Sequence, residues 1–296
     1  MARKKVLLVD GNNILFQSFH KFEKLRSTDG KPSGAIFGFF KSLHMYLERF
    51  NPDDVYITFD NGHSPLRDKL LPNYKGHRQN ISYDRDALFM QRDVILKILR
   101  ILRIKYIFDK KKQTVYEGDD FLAYLYFKVL NKEALVTLVS SDKDFNQLLI
   151  NDRIKIFNPR KEEYVRQTNC ESLFGYTPYE TVDYLSLVGD SSDDIPGFPG
   201  IGPVKARKFL DKWHSIAKYL ELNDDDKMRA VYERNRQMID LKWFVDNHKL
   251  DLDKVLKTYT RSKINYDKFR EICIEYSFNS FLTDIFIEPF KELKKK

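Results

Sequence analysis

The sequence predicts an α/β protein with a mostly parallel central sheet and helices on both faces. Short apolar runs occur at Val6–Val9, Tyr56–Phe59 and Leu135–Val139, as is typical of parallel strands buried on both faces. Helical patterns lie between and after these runs, at 35–50, 84–102 and 119–131. Because strands and helices alternate, a parallel sheet is favoured.

The pattern changes near Pro178. A helical pattern at Pro178–Val188 leads into a turn rich in glycine and proline, DSSDDIPGFPGIGP, which precedes a basic helical pattern at Val204–Lys212. Further helical patterns follow at 226–247 and 265–275. We therefore expect a sheet-bearing core at residues 1–175 and a helical region at 176–296, packed as one unit.

The charge of the chain is concentrated in one stretch. Lys and Arg number 51 against 43 Asp and Glu, which gives a net charge of +8 and favours a polyanionic partner. From Gly62 to Lys105 there are ten Lys/Arg and four Asp, so +6 falls in this stretch. A phosphate-binding surface requires such a local concentration of charge, although a solvated helix face is the alternative.

Several classes of protein are disfavoured. The two cysteines, Cys170 and Cys273, form no CxxC pattern, so neither a disulfide framework nor a zinc site is expected. No apolar run reaches about 18 residues, and the N-terminal MARKKVLLVDG lacks the apolar region of a signal peptide. We expect no membrane partner and an intracellular, cytoplasmic protein, in the host cytoplasm if the source is viral.

Acidic residues follow the predicted strands. Asp10 and Asp60 end the first two strands, and Asp142 and Asp144 follow the third. In an open parallel sheet the functional crevice lies at the carboxyl ends of the strands, so these four side chains should converge there. Five more acids lie at a helix start and in the later turn: Glu117, Asp119, Asp120, Asp190 and Asp193.

Nine such acids call for a common explanation. One acid after a strand is usually a helix cap or a turn residue. Nine carboxylates in one crevice would repel one another strongly unless cations neutralised them. A site made only of oxygen ligands suits Mg²⁺ or Mn²⁺ and disfavours zinc.

Five segments in order resemble a known family. They run from about Val6 to Leu210 and read KVLLVDGNN, VYITFD, VYEGDDFLAYL, SSDKDFNQLL and LVGDSSDDIPGFPGIGPVKARKFL. Together they are similar to the motifs of the flap endonuclease/5′→3′ exonuclease family, which includes polymerase I 5′-nuclease domains and bacteriophage 5′ exonucleases. The resemblance implies a stand-alone, structure-specific 5′ nuclease that hydrolyses DNA phosphodiesters with two or more Mg²⁺ or Mn²⁺ ions.

The resemblance also implies how the acids are shared. One metal site is expected to be lined by Asp10, Asp60, Glu117, Asp119 and Asp120. A second is expected to be lined or approached by Asp142, Asp144, Asp190 and Asp193, with Asp120 and Asp142 near both. Asp194 stands where many relatives have Asn, so it is either a turn residue or a substitute for Asp193.

The basic stretch contains the pattern R-x₆-Y-K-x₂-R, formed by Arg67, Tyr74, Lys75 and Arg78. By resemblance, residues 62–92 form a helical arch over the acids. Lys75 and Arg78 are then catalytic cations that compensate charge on the scissile phosphate, Tyr74 stacks an unpaired base, and Arg67 contacts DNA. Since the start of this segment has weak core signals, we expect it to be mobile without DNA; a solvated basic loop is the alternative.

Gly200 and Gly202 precede the basic helix and resemble a helix-hairpin-helix turn. The two glycines allow a DNA backbone to approach the free N–H groups at the helix start, and Lys205, Arg207 and Lys208 add charge. In the family this turn also holds K⁺. Relatives usually place Lys where this chain has Val204, which leaves the role of Lys205 open.

The expected partner is DNA with 5′ flaps, ends or single-strand/duplex junctions, with RNA primers as a further substrate and a monomeric enzyme. Two other functions stay open. A related metal-dependent ribonuclease could share the strand-end acids, but would not need the glycine-rich turn. A non-catalytic DNA-binding protein would keep that turn and the basic stretch, yet would not need nine acids.

Overall fold

A computed structural model describes residues 3–60, 62–80, 82–258 and 263–295. Within these ranges the main sheet has seven strands in the order β6-β5-β4-β1-β2-β3-β9, and β7 and β8 form a separate pair. The strands are β1 Lys5–Asp10, β2 Asp54–Phe59, β3 Lys105–Phe108, β4 Leu135–Val139, β5 Ile154–Asn158, β6 Glu163–Val165, β7 Gly189–Asp190, β8 Ile195–Pro196 and β9 Leu256–Lys257.

The centre of the sheet is parallel, as the sequence predicts. β1 pairs in parallel with β2 and β4, and Val9 lies opposite both Ile57 and Val139. β3 and β5 extend the parallel sheet on either side, whereas the edge strands β6 and β9 are antiparallel. The carboxyl ends of β1, β2 and β4 therefore share one edge of the sheet.

The helices connect and cover the strands. They are α1 Gly11–Lys21, α2 Gly34–Phe50, α3 Pro65–Leu70, α4 Arg85–Ile101, α5 Gly118–Tyr124, α6 Cys170–Phe174, α7 Thr181–Val188, α8 Pro203–Trp213, α9 Ile216–Leu222, α10 Asp226–Ile239, α11 Leu241–Asn247, α12 Leu252–Val255, α13 Tyr266–Glu275 and α14 Asp284–Lys295. Short 3₁₀ helices lie at Gly76–Asn80, Lys143–Leu148, Pro178–Glu180 and Asn279–Leu282, and a π-helical turn at Leu125–Val129.

Side-chain caps determine where several helices begin. Asp10 ends β1 and caps α1, with its Oδ1 accepting from the Asn13 N–H at 2.9 Å. The continuous helix expected at 226–247 is broken, because Asp240 ends α10 and caps α11 through the Trp243 N–H at 2.8 Å. The helix expected to reach residue 131 is α-helical only to Tyr124.

Apolar side chains fill both faces of the sheet. On one face, Phe39 of α2 and Phe59 of β2 belong to the same buried cluster as Phe290 of α14. On the other, Phe121 of α5 and Phe244 of α11 share a second cluster. Helices from the C-terminal region thus pack on both faces, and the described part of the chain has no helix long and apolar enough to span a membrane.

Candidate metal centre and nucleic-acid interface

The strand-end acids meet at one edge of the sheet. Asp10 ends β1, Asp60 directly follows β2, and Asp142 lies just beyond β4. Asp119, in the first turn of α5, interacts electrostatically with all three of them. Burial first, and then the charges of these neighbours, raises the pKa of Asp119 well above its ordinary value.

The pKa of Asp10 is raised for the same reasons. Burial, with smaller contributions from Asp60 and Asp142, raises the pKa of its carboxyl to about 7, although hydrogen bonds from Asn13 and Ser140 oppose the shift. The Ser140 hydroxyl donates to Asp10 Oδ2 at 2.8 Å. Asp10 therefore lies in a site that disfavours its charged form.

Asp142 and Asp144 extend this region. Asp142 caps the 3₁₀ helix Lys143–Leu148 by accepting from the Asp144 N–H at 2.9 Å. Burial and then the charges of Asp142, Asp190 and Asp193 raise the pKa of Asp144 well above its usual range. Asp144 Oδ1 is buried and accepts no hydrogen bond from the residues that the structure describes. Such an orphaned oxygen is a candidate cation ligand.

Asp190 is satisfied by its neighbours. It is buried, and its Oδ1 accepts from the Ser192 N–H at 2.8 Å, the Ser192 hydroxyl at 2.6 Å and Lys143 Nζ at 3.2 Å. Burial alone would raise the pKa of Asp190, but these hydrogen bonds and the Lys143 charge outweigh it, and the pKa is lowered.

Glu117 is neutralised by cations of the basic segment. It caps α5, and its Oε2 accepts from Lys75 Nζ at 2.7 Å and from the Tyr74 hydroxyl at 2.9 Å. Its Oε1 accepts from the Ser64 N–H at 2.6 Å. Burial raises the pKa of Glu117, but the charges of Lys75 and Arg67 outweigh it and bring the pKa to about 2.

Arg67 and Asp120 form a buried, two-pronged ion pair. The two terminal nitrogens of Arg67 each donate to one oxygen of Asp120 at 2.7 Å, and Arg67 is only 3% exposed. Its Nε donates to the Met238 carbonyl at 3.3 Å, and its guanidinium lies 4.6 Å from the Phe244 ring centroid. The structure thus places Arg67 inside the protein and not on the DNA-facing surface expected from the sequence, because its charge is matched by Asp120.

The start of the basic segment also packs inward. Tyr74 and Lys75 are each only 4% exposed, and the Tyr74 ring belongs to a buried cluster with Leu185, Ile195 and Met238. The ring face expected to stack a base is covered in this structure. The weak core signals of this segment predict a mobile loop, but the structure packs it. The prediction differs from the structure because the partners of Tyr74 come from distant parts of the chain.

This segment is joined to the loop that bears Asp193 and Asp194. Arg78 Nη2 donates to Asp193 Oδ1 at 2.7 Å, and the Lys75 N–H donates to the Asp193 carbonyl at 3.0 Å. The N–H and Nδ1 of His77 lie 2.9 and 2.8 Å from Asp194 Oδ2. Lys75 and Asp194 both adopt positive φ, 53° and 55°, a conformation that costs energy in residues with side chains.

His77 was not among the residues expected from the sequence. Its place one residue before Arg78 gave no signal by itself. No signal in the sequence indicates its contact with Asp194, which lies 117 residues further along the chain. In this structure Asp194 is bonded to the basic segment, while Asp193 lies beside Lys75 and Arg78, with 3.6 Å between Asp193 Oδ2 and Lys75 Nζ.

The glycine-rich turn is open to solvent. Gly200 has φ +77°, and a Cβ added at Gly200 or Gly202 would meet nothing within 4 Å. Lys205 Nζ donates to the Gly200 carbonyl at 2.8 Å, and Lys208 is exposed. The backbone of this turn is therefore accessible to a large ligand.

Arg207 has a different environment. Its guanidinium donates to both oxygens of Glu180 at 2.7 and 2.9 Å, and its Nε donates to Asp211 at 2.8 Å. These contacts tie α8 to the 3₁₀ helix Pro178–Glu180. Arg207 is thus engaged in ion pairs within the protein in this structure, and its contact with DNA stays a prediction.

The donor set suits a divalent cation, but the side chains are not preassembled. Within the described ranges, no three Asp, Glu, His or Cys side chains are close enough together to hold a metal ion. Lysine and arginine side chains lie among the acids: Lys75 contacts Glu117, Arg78 contacts Asp193, and Lys143 contacts Asp190. The raised pKa values and the orphaned Asp144 oxygen fit an all-oxygen site that binds a cation after these side chains move.

Two family models cover most of the chain. The N-terminal resolvase-like domain of 5′-3′ exonucleases matches residues 5–175, and the C-terminal SAM fold of 5′-3′ exonucleases matches residues 176–267. The chain belongs to the 5′-3′ exonuclease family. The nuclease activity expected from the sequence is thereby confirmed at the level of the family.

Curated relatives agree with this assignment. A 5′-3′ exonuclease of Buchnera aphidicola subsp. Schizaphis graminum is 33% identical over 79% of this chain and 78% of that protein. A 5′-3′ exonuclease of Aquifex aeolicus is 30% identical over 84% and 83%. Thermostable DNA polymerase I of Thermus aquaticus is also 30% identical, but the match covers 94% of this chain and 32% of that longer protein.

Solved structures share the fold. The T5 D15 protein co-crystallised with metal ions superposes with a TM-score of 0.67 at 15% identity, over 99% of both chains. Flap endonuclease-1 from Methanococcus jannaschii gives a TM-score of 0.57 at 16% identity, over 99% of this chain and 92% of that one. The predicted α/β fold class is confirmed.

Proposed function

We propose that this member of the 5′-3′ exonuclease family is a divalent-metal-dependent, structure-specific 5′ nuclease acting on DNA flaps, 5′ ends and single-strand/duplex junctions. The observation that carries the proposal is the buried group of acids with raised pKa values, Asp10, Asp119, Asp142 and Asp144. This group lies beside Lys75 and Arg78, which are cations suited to a phosphate.

The acids expected from the sequence are proposed as ligands, with different roles in the two parts of the crevice. Asp10, Asp60, Asp119, Asp142 and Asp144 are the proposed direct holders of two or more ions. Mg²⁺ or Mn²⁺ bound there supplies neutralising charge and an activated water. Glu117, Asp190 and Asp193 are held by cations of the protein in this structure and approach the ions when those cations move, whereas Asp120 keeps its ion pair with Arg67 beside them.

Lys75 and Arg78 are proposed to exchange partners. Without DNA they contact Glu117 and Asp193. A phosphate in the crevice offers the same kind of anionic oxygen, so both side chains can turn toward it without losing charge compensation. They would then stabilise negative charge that develops on the phosphate oxygens during hydrolysis.

Arg67 and Asp120 are proposed to fix the geometry of the crevice. Their ion pair joins α3 to the first turn of α5, and Asp120 Oδ2 also accepts from the Glu117 N–H at 2.8 Å. This arrangement holds the helix start that presents Asp119. A pair buried at this point acts through position and not through contact with substrate.

DNA binding is assigned to the open turn and the basic segment. Gly200 and Gly202 leave the start of α8 accessible, and Lys205 and Lys208 add positive charge. A T5 flap endonuclease of the same fold is described as a complex with DNA and metal ions, which supports DNA as the partner. The same proposal includes four further points. The turn binds K⁺, the enzyme also cleaves RNA primers, and it is a monomer. The two domains divide at residues 175/176, with an arch at 62–92.

The test is cleavage of a labelled 5′-flap DNA in Mg²⁺, in Mn²⁺ and in excess EDTA. Blunt duplex and an all-RNA flap of the same sequence are the matched substrates. We expect metal-dependent cutting near the flap junction that leaves a 5′-phosphate, with the blunt duplex and the RNA flap cut more slowly. Undiminished cutting in EDTA would exclude the metal mechanism, and preference for the RNA flap would favour a ribonuclease.

A further inference from the structure

A second cavity lies at the edge of the sheet opposite the acids. It has a volume of about 380 Å³ and is lined by the starts of β1, β4 and β5, the end of α2 and Tyr164 of β6. Small-molecule sites commonly have volumes of about 300–1,000 Å³. The cavity is therefore large enough for a small ligand and is separate from the metal centre.

The charge of this cavity is the reverse of that of the crevice. Four cationic residues line it, Lys5, Arg49, Arg153 and Lys155, and Asp152 is the one acid among its described lining residues. A concave surface with an excess of positive charge concentrates anions. Anionic ligands that small include free phosphate and phosphate monoesters.

Aromatic rings hold several of these cations in place. Lys155 Nζ lies 4.7 Å from the centroid of the Tyr164 ring, and the Arg49 guanidinium lies 4.4 Å from that of Phe157. The Arg153 guanidinium lies 4.1 Å from the centroid of the ring of Tyr126, a residue outside the cavity lining. Ordered cations lose less freedom when they bind an anion.

We propose that this cavity binds a nucleoside 5′-monophosphate. The phosphate is placed beside Lys5 and Lys155, while Phe50 and Pro52 provide an apolar surface for the base. The identity of the ligand rests on the proposed function, because a 5′→3′ exonuclease releases nucleoside 5′-monophosphates as it degrades a strand. The site would therefore fill as product accumulates.

Isothermal titration calorimetry with deoxyadenosine monophosphate, in EDTA, tests this proposal. EDTA removes the metal-dependent route to the crevice, whose acids repel phosphate. We expect saturable binding to the wild type, at least tenfold weaker binding to both Lys155→Glu and Lys5→Glu, and affinity within twofold of wild type for Lys268→Glu. That control makes the same charge change at an exposed position on α13. Thermal melting of each variant reports whether it is folded.

Inorganic phosphate and deoxyadenosine, titrated separately, identify which part of the ligand is recognised. We expect both to bind at least tenfold more weakly than the monophosphate. Inorganic phosphate that binds as tightly would overturn the assignment of a nucleotide. Absence of saturable binding, or equal binding by Lys155→Glu, would overturn the site itself.

Flap cleavage in Mg²⁺ separates this proposal from the proposed function. Lys155→Glu should cut a labelled flap at the wild-type rate, because Lys155 lies at the opposite edge of the sheet from the acids. If the wild type binds the monophosphate but cuts no substrate, the proposed function fails and the site stands. If it cuts flaps but binds no monophosphate in EDTA, the site fails and the nuclease stands.

Discussion

The crevice has two halves in which the carboxylates have different electrostatic surroundings. In the cation-paired half, defined by Glu117, Asp120, Asp190 and Asp193, each carboxylate contacts a lysine or arginine of the protein. In the high-pKa half, defined by Asp10, Asp60, Asp119, Asp142 and Asp144, burial and neighbouring acids raise the pKa of every carboxyl. Within one crevice, the protein supplies cations for one half and leaves the other to be neutralised from outside.

This difference separates residues that hold the crevice together from residues that bind an outside cation. Removing a cation from the paired half leaves an unmatched buried charge, which lowers stability. Removing a charge from the high-pKa half relieves repulsion between carboxylates, so it should not lower the stability of the fold. It should lower activity, because a proposed metal ligand is lost. The variants Asp142→Asn, Arg67→Met and Lys75→Ala test the two sides of this contrast.

The largest effect is expected for Asp142→Asn. Cleavage should fall by at least about a hundredfold, since a proposed ligand is removed, while DNA binding stays near the wild-type level. The metal-free protein should melt at the same temperature as the wild type or higher. Single-turnover cleavage, a mobility-shift titration and thermal melting measure the three quantities. Asp253→Asn, at an exposed position on α12, is the control, and wild-type cleavage by Asp142→Asn would remove Asp142 from the site.

Arg67→Met tests the paired half. Because Arg67 and Asp120 are both buried, loss of the guanidinium leaves the Asp120 charge unmatched and should lower the free energy of unfolding by about 3–5 kcal/mol. Urea denaturation measures the change. Adding Asp120→Asn to Arg67→Met should recover part of the loss. A single variant as stable as the wild type would show that the pair does not hold the crevice.

Lys75→Ala should have a smaller effect on cleavage, through the chemical step, and should also lower the stability of the fold because the buried Glu117 charge is left unmatched. Single-turnover cleavage should fall by about a hundredfold, as for other groups that stabilise a transition-state charge. Binding should lose one phosphate contact at most. The slope of the logarithm of the DNA-binding constant against the logarithm of salt concentration should then become shallower by about one. Lys69→Ala, at an exposed position on α3, controls for charge. If binding collapses and the bound complex cuts normally, Lys75 only anchors DNA.

Asp183 provides a comparison outside the crevice. Burial raises the pKa of this carboxyl to about 6, against opposing interactions with the Ile216 N–H and Arg236. Because the folded-state pKa lies above the unfolded value, protonation stabilises the fold below about pH 4, and this contribution is lost as the pH rises through 6. At pH 8 Asp183→Asn should therefore raise the free energy of unfolding, by as much as about 3 kcal/mol.

Urea denaturation of wild type and Asp183→Asn at pH 4.5 and pH 8 measures this difference. The gain should shrink at the lower pH, where Asp183 is already protonated in the folded protein. Mg²⁺ should not change this gain in the free energy of unfolding, because Asp183 lies on α7 and is not one of the proposed metal ligands. A variant less stable than the wild type at pH 8 would show that the carboxylate is needed in its charged form.

The sequence was sufficient for the parts of the fold that depend on local pattern. The apolar runs located β1, β2 and β4, and their parallel pairing brought Asp10, Asp60 and Asp142 to one edge. The strands β3, β5, β6, β7 and β8 were not predicted, and neither was β9, where two residues, Leu256–Lys257, give no strand pattern. The break at Asp240 was missed because the helical periodicity continues on both sides of it, and only the cap to Trp243 ends one helix and begins the next.

The charge partners in the crevice could not be predicted in the same way. Arg67 was expected on a DNA-facing surface because it lies in a basic stretch, but its partner Asp120 is 53 residues away in the chain. The contact between His77 and Asp194 spans 117 residues. Residue type and spacing locate acids and bases along the chain, whereas the pairing that divides the crevice into two halves arises only from packing.

Mn²⁺ binding tests the central claim, that the high-pKa half needs an external cation. Electron paramagnetic resonance of free Mn²⁺, titrated with wild-type protein and with Asp142→Asn, measures binding directly, and flap cleavage is followed in the same samples. We predict that the wild type binds Mn²⁺ and cuts as its sites fill, while Asp142→Asn binds at least about tenfold more weakly and does not cut. Equal Mn²⁺ binding by the two proteins, or cleavage by wild type that binds no Mn²⁺, would contradict the account.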